Sequence, residues 1–574
     1  MSARPVRRRR TALIAAGAAA LAALALTPLA APRAQPADLL LRDGVVHTMG
    51  PAGTVRGSVA IRGGRLLAVG PGAEESRGPA TEVIELGGRA VVPGLIDSHL
   101  HMHFAGLNAP LVQLLEARSV ADVGARIAER ARATPPGEWI QASSGWHESL
   151  LAEGRLPTRW ELDAAAPDHP VFVPRGGHVV TVNSRALALA RITRDTPQPP
   201  GGVIVKDAAG EPTGVLLIAG ATALARRVLP PPPSDEEQAR LLVAAMRDLN
   251  AHGITAVVEP GVDDRIARIY RRVRDSGEAS VRTMLLWRAG TREAVERGLA
   301  SQRGFPDDAM LWAAGIKIPL DGGVEGGRMT EPYRIVPGEQ TDPDYRGILL
   351  LPPGGVPELE DALRLVAREG RTVQTHAVGD ETIELITDLY ARVARDVAPI
   401  RPLRWTVMHV FLPSDAAIRR MAEHGVMASA QDHPVLLGHN QRRWWGEARA
   451  ARAIPIRALL DAGVHVGGGT DGPVVPVDPF LSLWWMTTRG TLPRGEPLGP
   501  DQAITPSEAL RLYTRDNAAM LGREADLGTL EPGKRADLAV LSQDVLAVDP
   551  ARLRDTRAHL TLVEGRVVHR APEF

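Results

Sequence analysis

The sequence predicts an α/β chain built on a (β/α)8 TIM barrel. A small β-sandwich-like domain contributed by both chain ends and a large insertion after the first barrel strand complete it. Three observations carry this expectation. About eight short apolar or β-branched runs alternate with helical stretches through the middle of the chain, the pattern of parallel strands joined by crossover helices. Strand-like runs bounded by glycine occur near both ends. Residues 98–252 separate the first barrel run from the second, too many for a structureless connection in a compact fold.

The chain has 574 residues, enough for two or three structural units. It opens with a targeting signal over residues 1–34. Arg7, Arg8, Arg9 and Arg10 precede an uncharged Ala/Leu run over residues 11–31, the order of a secretory signal. Arg9-Arg10-Thr11 also resembles a twin-arginine signal. The alternative is an uncleaved anchor, since about 20 apolar residues span a bilayer. With cleavage near Ala31 or Ala34, the mature protein is expected to be exported, periplasmic or secreted, with no stable membrane association.

Residues 37–90 and 524–574 form the composite β domain. Residues 91–523 form the barrel, and residues 104–247 the insertion within it. The barrel runs are residues 90–97, 253–259, 282–287, 315–321, 372–376, 405–409, 426–431 and 464–471. Helical stretches fall at residues 357–369 and 414–424, each before a run. An insertion following a barrel strand lands over the barrel mouth, so residues 104–247 are expected to form a lid or substrate region. The proline run 230–233 reads as a rigid linker.

Composition narrows the chemistry. Lys plus Arg equals Asp plus Glu, 67 each, so no global field favours nucleic acid. The absence of cysteine excludes disulfides, thiol catalysis and thiolate metal sites. Any metal must be held by nitrogen and oxygen. His99 and His101 close the first barrel run, and residues two apart on a strand share a face. His103 has the same parity, so a His101/His103 register is the alternative. His376, His409 and Asp471 end later runs, at the rim where barrel chemistry is built. Lys317 lies between Ile316 and Ile318, and alternation turns it into the barrel. Burial lowers a lysine pKa, and the neutral amine takes up carbon dioxide to give a carbamate, an anion suited to bridging two metal ions. The alternative is a salt bridge to Asp321 or Glu325.

Several stretches together resemble the amidohydrolase superfamily, specifically the amidohydrolase family 3 or YtcJ-like branch. They are Pro93-Gly-Leu-Ile-Asp-Ser-His-Leu-His101, Gly315-Ile-Lys-Ile-Pro-Leu-Asp-Gly322, His376-Ala-Val-Gly-Asp380, Gly468-Gly-Thr-Asp-Gly-Pro473 and Gly533-Lys-Arg-Ala-Asp-Leu538. Arg155-Leu-Pro-Thr-Arg-Trp-Glu-Leu-Asp163 and Arg175-Gly-Gly-His178 resemble the branch's insertion.

The resemblance implies that His99, His101 and Asp471 hold one metal and His376 and His409 a second, with N6-carboxylated Lys317 between them. It implies one or two divalent ions, zinc first among candidates, and Asp471 as the catalytic proton carrier. His178, in a glycine turn, is read as a substrate contact, with a merely exposed loop histidine as the alternative, and His433 is read as reaching substrate, with a supporting or structural role as the alternative. Asp432-His433 after Gln431 departs from the family pattern. The implied activity is hydrolysis of a carbon–nitrogen bond, amide or N-substituted formamide-like, by metal-activated water. The same apparatus suits an esterase, a lactonase or a deaminase, and a non-catalytic metal-binding periplasmic receptor is the reading from another class. The expected partners are a small-molecule substrate and at most a second copy of the chain. Trp444-Trp445 and Trp484-Trp485 read as packing elements rather than a pocket.

Overall fold

The computed structural model describes residues 36–335 and 342–574; the expected signal, residues 1–34, lies outside them. Eight parallel strands form the barrel: β1 (Leu95–Asp97), β2 (Ile254–Val262), β3 (Arg282–Arg288), β4 (Leu311–Pro319), β5 (Thr372–Ala377), β6 (Thr406–His409), β7 (Met427–Gln431) and β8 (Val466–Gly469). Each pairs with the next in that order. At the seam between β8 and β1, Ser98 N donates to Gly468 O at 3.0 Å and Asp471 N donates to His99 O at 2.8 Å. Asn517 staples the seam, its Nδ2 donating to Ile96 O and Gly468 O at 2.5 and 2.7 Å.

Residues 90–97, expected as one barrel strand, are two. Ala90–Pro93 belongs to the terminal sheet and only Leu95–Asp97 to the barrel. Gly94 makes the crossing: a Cβ there would meet Thr255 Oγ1 at 2.2 Å. The composition of the run could not reveal the break, because both halves are buried.

Alternation sets what each strand face does. Ile316 and Ile318 join the apolar layer under the helices, which turns Lys317 into the barrel. Met284, Leu286, Met408 and Leu521 pack with Trp312 in a separate interior cluster. Each such side chain contributes about 1.5–3 kcal/mol by leaving water. The expected helices form as Gly355–Arg368 and Asp415–His424. Ser414 caps the second by accepting from Ala417 N at 3.0 Å, and Gly425 ends it at φ 69°, a left-handed conformation that glycine adopts without steric cost.

Both chain ends share one eight-stranded sheet. Ala90–Pro93 pairs with Leu39–His47 on one side and Leu538–Leu541 on the other. Leu66 N donates to Lys534 O and Ala536 N to Gly64 O, both at 2.9 Å, so the sheet curls over one core containing Leu41, Val59, Leu538 and Leu560. Arg282 on β3 ties the barrel to this domain through a buried two-pronged contact with Asp537, at 2.6 and 2.9 Å.

After β1 the chain enters helix Met102–Asn108 and then a second unit with its own five-stranded sheet, ordered Val203–Lys206, Pro212–Leu217, Val179–Val182, Val171–Arg175, Ile140–Gln141. Helix Ile218–Arg226 leaves this sheet. Helix Asp235–Ala251 returns to the barrel wall, where Gly106 allows Met102–Asn108 to approach it; a Cβ on Gly106 would lie 2.8 Å from Leu241 O. Among the described residues, no helix is long and apolar enough to cross a membrane.

Candidate active site

The rim residues converge. His99 Nε2 and His101 Nε2 lie 3.1 and 3.3 Å from Asp471 Oδ1, and His433 Nε2 lies 2.9 Å from Oδ2. His409 closes the group: its ring centroid is 4.8 Å from that of His99, 4.5 Å from His376 and 5.3 Å from His433. One ligand atom each of His99, His409 and Asp471 all fall within 4.8 Å of one another. His409 and Asp471 have φ 71° and 59°, left-handed values that cost non-glycine residues of order 1–3 kcal/mol and concentrate at functional sites.

Burial decides the protonation states. It lowers His99 to about 3, with Lys317 adding to the effect. It also lowers His376, where Asp321 partly opposes it, and takes His409 well below the ordinary value, with His376 and His99 adding. All three imidazoles are therefore neutral at pH 7, with a lone pair free. Burial alone would raise Asp471, but His99 beside it and hydrogen bonds from His101 and His433 hold it well below the carboxylate range. With His99 neutral, the hydrogen bonds are what keep it ionised. His409 Nδ1 is buried without a partner among the described residues, and neither His376 Nε2 nor Asp471 Oδ1 makes a well-aligned hydrogen bond, although Asp321 Oδ1 lies 3.1 Å from the first and His99 and His101 within 3.3 Å of the second. Neutral imidazoles, an anionic carboxylate and orphaned buried donor atoms suit a divalent cation of borderline softness.

Lys317 is buried inside the barrel, its Nζ 2.7 Å from Met408 Sδ. Burial lowers it to about 7, with Arg288 adding and Asp471 opposing. The alternative salt bridges are absent among the described residues. Asp321 Oδ1 is 3.1 Å from His376 Nε2 and its oxygens accept from Val378 N and Gly379 N, while Glu325 pairs with Arg175. His103 is not part of the cluster. The helix beginning at Met102 ends the strand parity, and His103 Nε2 turns to Gln238 Oε1 at 2.8 Å.

Three carboxylates not assigned this role from sequence brace the histidines. Asp97 accepts from His99 N at 2.9 Å and from Thr470 N and Oγ1. Glu259 Oε1 lies 3.8 Å from His101 Nδ1, and its Oε2 accepts from Tyr270 and His103 N. Asp321 faces His376. Each ends a strand-like run, which was the available signal.

A cavity of about 410 Å3 opens above the cluster and is lined by both barrel and insertion. His178 stands in its wall, its ring centroid 6.0 Å from that of His376, with burial lowering its pKa to about 4. Gly323 leaves room for it: a Cβ would touch the ring at 2.7 Å. The insertion is fixed to the barrel by buried Arg175. Its Nε lies 2.8 Å from Glu148 Oε2 and its Nη1 contacts Glu325. Asn440 Nδ2, on the helix after β7, donates to Glu148 at 2.8 Å. Trp444, Trp445, Trp484 and Trp485 are buried core residues and do not line the cavity.

Comparison with known proteins agrees with this geometry. The chain is 31% identical to the N-substituted formamide deformylase of Arthrobacter pascens over 92% of its own length and 97% of that protein. It is 29% identical to YtcJ of Bacillus subtilis (strain 168), over 92% and 98%. An uncharacterised metal-dependent hydrolase of Pyrococcus horikoshii OT3 superposes with a TM-score of 0.68 at 25% identity, covering 89% of this chain and 99% of that one. A family model described as "Amidohydrolase family" matches residues 82–569. Spanning the barrel, the insertion and the later strands of the terminal sheet, that match makes the chain a member of the amidohydrolase family.

Proposed function

We propose that this protein hydrolyses an amide-type carbon–nitrogen bond, of the N-acyl or N-substituted formamide kind. The observation that carries the reading is the position of Asp471: one ionised carboxylate within 3.3 Å of His99, His101 and His433, on the floor of the cavity. His99, His101 and Asp471 would hold one divalent ion, and His376 and His409 a second, with carboxylated Lys317 between them. Zinc suits these donors. When bound, the ion supplies Lewis acidity and a water nucleophile at neutral pH.

The chain's own residues do the rest. Asp471 takes the proton from the attacking water at one oxygen and delivers it to the departing nitrogen. His433, on Oδ2, fixes which lone pair faces the substrate, and Asp97 holds the backbone of His99 and Thr470. The insertion excludes bulk water. Likeness to a formamide deformylase favours the amide over an ester, lactone or amidine. The uncharged run at residues 11–31 supports export to the periplasm or beyond as part of the same reading.

Asp471→Asn keeps a ligating oxygen and removes the proton acceptor. It is expected to retain most bound metal by elemental analysis while turnover of amides falls about 10³-fold or more, at the upper side of what a general base contributes. Wild-type turnover in that variant removes Asp471 from the role. Lys317→Ala is expected to lose metal and activity together, with both restored by a short carboxylic acid. Full metal content without the acid excludes an essential carbamate.

A further inference from the structure

Seven imidazoles line the cavity, and most are committed within the chain. His99, His101 and His433 face Asp471, His376 faces Asp321, and His147 Nδ1 accepts from Ser149 N at 3.1 Å. His409 lies inside the rim cluster. His178 is different. Among the described residues its ring makes no hydrogen bond and no ion pair, and its nitrogens are not sealed off by packing. It comes from the insertion and stands over the His376 side of the rim, with 6.0 Å between the two ring centroids. Asp471 follows β8 and His376 lies on β5, three strands away round the barrel.

Local structure fixes where this ring points. Strands Val171–Arg175 and Val179–Val182 are antiparallel neighbours, and Gly176-Gly177 turn the chain between them, with Gly176 at φ 57°. Gly176 N donates to Ser144 O at 2.9 Å and Ile218 N donates to His178 O at 2.6 Å, which pins the turn on both sides. Arg175, three residues earlier, is locked between Glu148 and Glu325. The ring then rests against Gly323, where a Cβ would stand 2.9 Å from Nε2. A ring held there for packing alone has no use for its nitrogens. Burial keeps this one neutral at pH 7, so it carries one N–H, and with no partner in the chain either nitrogen can present it.

We propose that His178 donates a hydrogen bond to the carbonyl oxygen of the scissile bond and stabilises the charge that gathers there during attack. This rests on the amide reading above. The water oxygen bonds to the carbonyl carbon while Asp471 takes its proton. The carbonyl π pair moves onto the oxygen, which accepts from the His178 N–H. When the pair returns, the carbon–nitrogen bond breaks and the nitrogen leaves with the proton that Asp471 carried. His178 keeps its own proton throughout. A donor already aimed at the place where charge develops, in a site closed to bulk water, is worth more than the same donor in water. The insertion thereby supplies chemistry as well as cover: the base stands on the barrel, and the donor opposite it comes from the insertion.

The test compares His178→Phe, which keeps a ring and removes the donor, with His178→Asn, which keeps an N–H. Each is metal-loaded and assayed on N-formyl and N-acetyl amines. His178→Phe is expected to lose kcat by about 10²- to 10³-fold, the effect of removing one such donor, with KM, bound metal and thermal midpoint close to wild type. His178→Asn is expected to recover part of the rate. A second readout needs no turnover. A phosphonamidate matching the amide presents tetrahedral oxygens, and His178→Phe is expected to bind it about 10²-fold more weakly in calorimetry. Wild-type kcat in the Phe variant overturns the proposal, as does a loss confined to KM, which makes the ring part of the wall. If the Phe variant does not hold metal, His178→Leu takes its place, and equal rates in the Leu and Asn variants overturn the proposal. Metal loss in all three makes the residue structural and overturns it too. A wild type that cleaves no amide sinks the amide reading alone. The phosphonamidate then decides, and equal affinity in wild type and Phe variant, or none in either, overturns the role of His178.

Discussion

Two buried clusters of charge face each other across the cavity, and they are built differently. On the insertion side, Arg175 lies between Glu148 and Glu325, and cation and anions are paired within the chain. On the barrel rim, imidazoles gather on Asp321 and Asp471 with no guanidinium or ammonium in ion-pair contact, and His409 Nδ1 is left without any partner among the described residues. Buried charge paired within the chain holds structure, whereas buried polar atoms left unpaired mark a place for something the chain does not supply. The rim accordingly points to a cation, and the Arg175 cluster to a fastening that sets the insertion over it.

The largest expected effect comes from breaking that fastening. Arg175→Met leaves two buried carboxylates without their cation, a change that costs about 3–5 kcal/mol, read by denaturation of the metal-loaded protein. Acid sensitivity gives a second readout. A glutamate in the unfolded chain titrates near about 4.3. In the fold, burial raises Glu148, but Arg175 and then His147 bring it down to about 2. A depressed native pKa contributes stability that is complete above the unfolded value and is lost as pH falls toward 2. Without Arg175, burial dominates and raises Glu148 above its unfolded value, so the sign reverses: the variant is least stable near neutral pH and recovers part of the loss as pH falls, and its gap to the wild type is expected to narrow toward acid. A variant within about 1 kcal/mol of wild type, in the range of a surface pair, with an unmoved acid limb, shows that the insertion is held by other contacts.

The same contrast explains what could be read from sequence. Barrel chemistry sits at strand ends, and strands have a period. His99, His376, His409 and Asp471 were legible because each closes an apolar run, and Lys317 because alternation between two isoleucines turns it inward. Glu259 and Asp321 carried the same signal. The parity argument failed at His103, since it holds only while the backbone is extended and a helix starts at Met102. Gly94 was illegible for a different reason: the sharp handover from terminal sheet to barrel leaves hydrophobicity unbroken. In the insertion no such period exists. Glu148 and Arg175 meet through tertiary packing between a short 3-10 turn and a strand end.

A smaller change sharpens the rim side of the comparison. Glu259 is a brace, held by Tyr270 Oη at 2.5 Å and His103 N at 3.0 Å on one oxygen while the other faces His101 Nδ1 at 3.8 Å. Burial raises its pKa, opposed first by His101 and then by Tyr270 and His103. Glu259→Gln keeps an oxygen for Tyr270 and His103 and removes the charge, which separates bracing from folding. Carboxylates behind metal-binding histidines orient the ring and raise its basicity, and losing one weakens metal binding about 10- to 100-fold. At 3.8 Å the contact is longer than a hydrogen bond, so the lower end, about tenfold, is expected in a competitive chelator titration, with thermal stability of the metal-free protein little changed. Unaltered metal affinity means that His101 is oriented by the strand end alone. Equal losses in metal-free stability and metal affinity would make Glu259 part of the fold's own pairing, like Glu148, and erase the difference between the two clusters at that position.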